Sequence, residues 1–216
     1  MSQKPTILFD LDGTLLDSAE TILDAFYFAY NKFNLPLPKE DEIRALIGYE
    51  LKDMFKKLKA KDVEAMIESY SLRYKSSYLD NTYFFSGAKE AVLEASSFAD
   101  IAVVTTKAAS SSRPIMQKAN LSDKLTVIVG RGDTTYLKPH PEPILKALSL
   151  LNKSTKNAFM VGDTKLDMLA AKAAGVVAIG VRCGYGDKDE LAKESDYLFD
   201  DVKEAVDFIK KLKLTL

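Results

Sequence analysis

Two carboxylates stand where an apolar run stops: Ile7-Leu8-Phe9 gives way to Asp10-Leu11-Asp12-Gly13-Thr14. On an extended backbone, residues i and i+2 point to the same side, so Asp10 and Asp12 converge at the strand end. Carboxylates that close repel unless a cation lies between them, and a hard divalent ion such as Mg²⁺ suits oxygen donors. Unequal roles then follow, one ionised nucleophile and one carboxyl that gives and takes a proton. Gly13 permits a sharp turn, and Thr14 adds a backbone N–H and a hydroxyl.

Three later strand ends carry matching chemistry. Val103-Val104-Thr105-Thr106-Lys107 offers a hydroxyl to a phosphoryl oxygen. Leu137-Lys138-Pro139-His140-Pro141-Glu142-Pro143 holds a lysine in a stiff, proline-rich segment, a fixed positive charge useful over a phosphate. Val161-Gly162-Asp163-Thr164-Lys165-Leu166-Asp167 ends a strand with carboxylates at i and i+4. If a helix opens near Thr164, Asp167 sits one turn in and faces the same crevice as Asp163. Singly, each has an ordinary explanation: an Asp-Gly turn, a β-branched strand residue, an exposed lysine, an acidic first helical turn. Together, in chain order, they supply a nucleophile, a hydroxyl, a cation and a metal clasp.

The elements that must position these residues are legible in the hydropathy. From residue 100 onward, apolar runs at 101–105, 125–129, 158–162, 176–181 and 197–199 alternate with helical patterns at 110–120, 142–151, 165–174, 188–194 and 202–212. Strands this uniformly apolar, each followed by a helix, predict an α/β fold: a Rossmann-like parallel sheet with helices on both faces. Residues 18 to 80 read differently, with amphipathic patterns at 19–33, 40–47, 51–58 and 62–78 and no strand. The expected organisation is a core domain of residues 1–17 and 82–216, with an inserted helical cap domain at 18–81. Ser86 is expected to cap the helix over 88–98, and the crossings at 17–19 and 81–86 to act as a hinge. The aromatics Phe26, Tyr27, Phe28, Tyr30 and Phe33 are either a cap core or a dimer surface.

Composition removes other chemistries. Lys plus Arg number 30 against 31 Asp plus Glu, interspersed, so no polyanion such as nucleic acid is expected as partner. His140 is the only histidine, which excludes multi-histidine metal sites, and Cys183 has no arginine at the spacing of a cysteine phosphatase. One cysteine allows no intrachain disulfide. With no bilayer-length apolar stretch and no signal-like start, a cytoplasmic protein is expected, with no membrane partner.

The chain resembles the haloacid dehalogenase superfamily of phosphotransferases with a helical cap after the first strand, and within it phosphoglycolate phosphatase and its relatives. The resemblance rests on Asp10-Leu11-Asp12-Gly13-Thr14, Thr105, Lys138 with its proline-rich tail, Gly162–Asp167, and Ala170-Ala171-Lys172-Ala173-Ala174-Gly175. It implies that Asp10 attacks phosphorus and forms an aspartyl-phosphate, while Asp12 protonates the leaving oxygen and then activates water. It implies Mg²⁺ held by Asp10, the backbone carbonyl of Asp12 and Asp163, with Asp167 supporting directly or through water. It implies that Thr105 and Lys138 bind the transferring phosphoryl group. By the same resemblance, a carboxylate at Asp12 sorts the chain with phosphate ester or anhydride chemistry and implies a small phosphorylated molecule as substrate.

The leaving group is set by the cap, which these motifs do not reach. Thr14, Arg44, Thr106 and Lys107 are the candidate substrate contacts; Arg44, Tyr49 and Lys52 either bind an anionic leaving group or lie on a helix surface. Thr106 stands where relatives often carry Asn, and Ser86 where they often carry Pro. Pyrophosphatase, nucleotidase, sugar-phosphate mutase and, least of all, a non-catalytic binding protein are the alternatives, and the oligomeric state is open.

Overall fold

The computed structural model describes residues 4–215, with side chains through Leu212; Met1-Ser2-Gln3, read for a signal-like start, and the last residue of the expected core domain lie outside it. The chain opens with β1 (Thr6–Phe9) and a short β2 (Leu16–Asp17). Helices α1 (Ala19–Lys32), α2 (Glu40–Arg44), α3 (Leu51–Lys57) and α4 (Val63–Asn81) follow, and β3 (Tyr83–Phe84) returns the chain. Alternation then begins: α5 (Ala88–Phe98), β4 (Asp100–Ala108), α6 (Ala109–Lys118), β5 (Val127–Arg131), α7 (Glu142–Leu150) and β6 (Ala158–Gly162). It ends with α8 (Lys165–Ala174), β7 (Val177–Val181), α9 (Lys188–Glu194), β8 (Tyr197–Phe199) and α10 (Val202–Thr215).

Six strands form one sheet in the order β5-β4-β1-β6-β7-β8, every pairing parallel. The centre is wholly apolar: Ile7, Leu8, Phe9, Val103 and Val161 are each 0% exposed, as a sheet covered on both faces requires. Because β1 lies between β4 and β6, the order reverses at its carboxyl end, which opens the crevice where α/β sheets bind ligands. The expected α/β architecture is the one observed.

Three local expectations are corrected. Strand β4 runs on past Thr105 to Ala108, because a register shift after Val104 lets Ala108 pair with Arg131. Strand β5 begins two residues late, since the Leu125 N–H closes a turn onto the Leu121 carbonyl. Ser86 does not cap α5; Gly87 holds that position with φ 75°, a left-handed conformation that glycine adopts at little cost.

Four helices are inserted between β2 and β3, and those two strands pair antiparallel, Leu16 with Phe84 and Asp17 with Tyr83. The insertion has its own aromatic core: Phe26 packs on Phe55 at 4.6 Å and on Tyr70 at 5.0 Å. Tyr70, Tyr74 and Tyr78, four residues apart on α4, stack at 5.6 and 5.2 Å. The α1 aromatics mostly serve this core, with Phe26 and Tyr30 buried and Phe28 at 38% exposure. Among the described residues, no helix is long and apolar enough to cross a membrane.

Phe55 is 0% exposed and contacts three other rings. Phe55→Ala should cost about 3–5 kcal/mol in urea unfolding. A cost below about 1 kcal/mol would mean that the rings do not form a packed core.

Candidate active site

Carboxyl ends of parallel strands face one way, so β1, β4 and β6 deliver Asp10, Thr105 and Asp163 to the same crevice. Asp10 is 3% exposed, and its backbone N–H donates to the Val161 carbonyl at 2.9 Å, which continues the ladder one residue past β1. Lys138 enters from the loop before α7, joined to Pro139 by a cis peptide. Its Nζ donates to the Val104 carbonyl at 2.9 Å and to Asp167 Oδ1 at 2.5 Å. The same Nζ stands 2.8 Å from Asp10 Oδ1, an ion pair off hydrogen-bonding angle, so that buried oxygen has no hydrogen-bond donor among the described residues.

Each partner carboxylate is held from behind. Asp163 accepts from the Thr14 hydroxyl at 3.0 Å and from the Tyr185 backbone N–H at 2.8 Å. Asp167, third residue of α8, reaches back to the Thr164 N–H at 3.1 Å and hydroxyl at 2.7 Å. Glycines make the room: a Cβ on Gly13 would lie 2.2 Å from Asp163 Oδ2, and one on Gly184 2.1 Å from the same atom. A Cβ on Gly162 would meet Asp167 Cγ at 2.4 Å.

Asp10, Asp163 and Asp167 each present one oxygen, all within 4.8 Å of one another, and all three are buried. The single ammonium among them, Lys138, leaves excess negative charge when all three ionise, and Asp10 Oδ1 still lacks a donor. An all-oxygen set with that surplus fits a hard divalent cation such as Mg²⁺. The Asp12 carboxylate stands outside this cluster, so any share Asp12 takes in holding the cation falls to its main-chain carbonyl.

Instead, Asp12 is bound by Lys107 Nζ at 2.8 and 2.7 Å, one contact to each oxygen, and by the Ser18 hydroxyl at 2.6 Å. Lys107 also lies over the Tyr74 ring of α4, 4.9 Å from its centroid. Burial alone would lower the Lys107 ammonium, but Asp12, Tyr74 and Tyr70 together raise it. The Thr105 hydroxyl accepts from the Lys107 N–H at 3.2 Å, and among the described residues no acceptor takes its proton.

A cavity of about 230 Å³ opens above the site between core and inserted helices, with Asp12, Thr106 and Lys107 on its floor. Four substrate assignments are thereby sorted. Thr106 and Lys107 line the cavity, although Lys107 is committed to Asp12. Thr14 does not; it is 0% exposed and faces Asp163, because the Gly13 turn at φ 89° redirects the chain. Arg44 does not either, since its guanidinium is taken by Glu20 and by Glu40 at 2.7 Å. Lys52 pairs with Glu64 at 2.9 Å, and Tyr49 lies on the cavity wall.

Sequence reasoning missed Ser18 and Tyr185. The Tyr185 hydroxyl accepts from the Ser18 and Ala19 N–H groups at 2.9 and 3.2 Å and donates to Asp17 at 2.7 Å, capping α1 while the Ser18 hydroxyl serves Asp12. The readable signal was Gly184-Tyr185-Gly186 just past the end of β7.

Burial, partly offset by Lys138 and reinforced by Asp167, pushes the Asp10 carboxyl from 3.8 up to about 7. Burial, then Asp10 and Asp167, also hold Asp163 well above the usual carboxylate range. A carboxyl that ionises near 3.8 unfolded and about 7 folded favours the folded state at low pH and loses that contribution as pH rises through the window. Without metal, wild-type melting temperature should therefore fall relative to Asp10→Asn between about pH 4 and 7, and Mg²⁺ should restore more at the upper end. A wild-type minus variant difference that is flat with pH would contradict this electrostatic account.

Residues 7–181 match the family described as haloacid dehalogenase-like hydrolase. The chain is 34% identical to the probable phosphatase IndB of Dickeya dadantii, covering 94% of this chain and 92% of that one. It is 30% identical to the pyrophosphatase PpaX of Bacillus mycoides, over 96% and 97% respectively. A haloacid dehalogenase-like hydrolase structure from Streptococcus pneumoniae superposes with TM-score 0.87 at 27% identity, covering 96% and 99%. A predicted phosphoglycolate phosphatase from Haemophilus somnus does so with TM-score 0.84 at 25% identity, covering both chains fully at 100%. With most of its length matched by that family and by relatives of the same fold, this chain belongs to the haloacid dehalogenase-like hydrolase family.

Proposed function

We propose that the protein is a cytoplasmic, Mg²⁺-dependent phosphatase that hydrolyses a small-molecule phosphomonoester through an aspartyl-phosphate, in the manner of phosphoglycolate phosphatase. One observation carries the reading: Asp10 is buried at a strand tip against Lys138 and two further carboxylates, while Asp12 faces the cavity outside that cluster. The division separates a nucleophile beside the cation from an acid–base group beside the leaving group. The phosphatase relatives support the class, and the lone Cys183 supports a reducing compartment.

In this reading an Asp10 oxygen attacks phosphorus as the bond to the leaving oxygen breaks, and Asp12, entering the step in its protonated form, delivers that proton to the leaving oxygen. Asp12 then takes a proton from water, which attacks phosphorus, releases phosphate and frees Asp10. Asp10 and Asp163 would hold the cation together with the Asp12 carbonyl, and Asp167 would support it. When bound, the cation offsets charge on the transferring phosphoryl group. Lys138 and the Thr105 hydroxyl bind phosphoryl oxygens. Ser18 and Lys107 aim the Asp12 carboxylate, and the inserted helices keep bulk water from the reacting atoms.

A second reading, pyrophosphatase, is favoured by the Bacillus relatives and uses the same groups with phosphate as the leaving group. Phosphate release should be measured from phosphoglycolate, pyrophosphate, nucleoside monophosphates and sugar phosphates. Release should need Mg²⁺, stop with chelator, and fall by at least about 10³-fold in Asp10→Asn. Release that survives in the variant, or a requirement for a bisphosphorylated sugar, would overturn the proposal.

A further inference from the structure

The cavity above Asp12 carries more positive charge than the chemistry at Asp10 uses. Of the residues that line it, only Asp12 is acidic, and Lys107 already neutralises it. Two further cations line the same cavity, Arg131 at the end of β5 and Lys75 on α4. Neither has a carboxylate partner among the described residues, whereas Arg44 and Lys52 do.

Arg131 is placed deliberately. It pairs with Ala108 across the extended end of β4, one residue past Lys107. That approach depends on Gly130, where a Cβ would lie 2.5 Å from the Lys107 carbonyl oxygen and 2.8 Å from the Ala109 nitrogen. Arg131 is half-buried, and its charge acts on the Tyr70 phenol across the cavity. Tyr74, also on the wall and only 6% exposed, has a hydroxyl with no hydrogen-bond partner among the described residues. A half-buried guanidinium without a counter-ion, lining one cavity together with a buried phenol, is a receptor for an anion.

We propose that this cavity selects substrates whose leaving group carries its own negative charge, a carboxylate or a second phosphate, read by Arg131 from the core and Lys75 from the inserted helices. The inference rests on the phosphatase reading and deepens it. Arg44 was the sequence candidate for this role, and its place is taken by residues on the facing walls. The apolar side of the cavity, Ile22, Ile47, Leu51 and Met54, strengthens the charge contact by excluding water. A volume of about 230 Å³ lies below the range of about 300–1,000 Å³ usual for drug-sized ligands, so the leaving group is small.

The test compares two esters of the same chain length, phosphoglycolate and 2-hydroxyethyl phosphate, in wild type, Arg131→Gln, Arg131→Lys and Lys75→Gln, all with Mg²⁺. Wild type should favour phosphoglycolate by about 10- to 100-fold in kcat/KM, chiefly through KM. Arg131→Gln should bring that ratio close to one, Arg131→Lys should recover part of it, and Lys75→Gln should lower it. A ratio unchanged by Arg131→Gln, or a wild type without preference, overturns the inference. Calorimetry with the hydrolysis-resistant 3-phosphonopropionate and propylphosphonate separates the two claims. If the charged phosphonate binds better only when Arg131 is present and no ester turns over, charge selection stands and the phosphatase reading falls. If esters turn over with no charge preference, the reverse holds.

Discussion

Three carboxylates buried around one ammonium set the terms for the rest of this structure. Asp10, Asp163 and Asp167 lie together with almost no solvent access, and Lys138 touches two of them. Burying charge is costly unless it is paired and hydrogen-bonded, so each carboxylate needs dedicated support. Thr14 and Tyr185 hold Asp163, Thr164 holds Asp167, and the glycines at 13, 162 and 184 clear the space. Of the three, Asp10 alone keeps a buried oxygen without a hydrogen-bond donor among the described residues, which is the position the proposed cation and phosphoryl group would use.

That constraint reaches the inserted helices through Asp12. Its carboxylate is held by Ser18 at the entrance to α1 and by Lys107, which lies under Tyr74 of α4. Tyr185 binds the metal-side Asp163 with its backbone and caps α1 with its hydroxyl. The crossing between core and insertion is therefore continuous with Asp12 and with the buried acidic cluster. The β2–β3 pairing adds a short ladder at the same crossing, so any closing motion there would bend a braced hinge.

The parts legible in the sequence were those governed by local periodicity. Uniformly apolar strands announce a covered parallel sheet whose carboxyl ends share a crevice, and the joint pattern placed Asp10, Thr105 and Asp163 there, where the structure puts them. Lys138 and Asp167 followed because a proline-rich lead-in and an i, i+4 spacing restrict where such side chains reach. Contacts made across the chain were not legible. Tyr185 meets Ser18 167 residues away, and Arg131 owes its place to a bulge in β4 that no hydropathy pattern records. Thr14 was assigned to substrate because the positive φ of Gly13, and the direction it imposes, is a property of the folded turn. Arg44 was misplaced because its spacing is compatible with either face of a short helix, and Glu20 and Glu40 decide which.

The most direct measurement of the central claim is a chemical trap of the nucleophile. Wild-type protein with Mg²⁺ and its best phosphate ester would be quenched early in turnover, reduced with borohydride and mapped by peptide mass. Borohydride reduces an acyl phosphate to an alcohol, so the account predicts homoserine at position 10 and nowhere else. Homoserine at another aspartate, or turnover with Asp10 unmodified throughout, would contradict it.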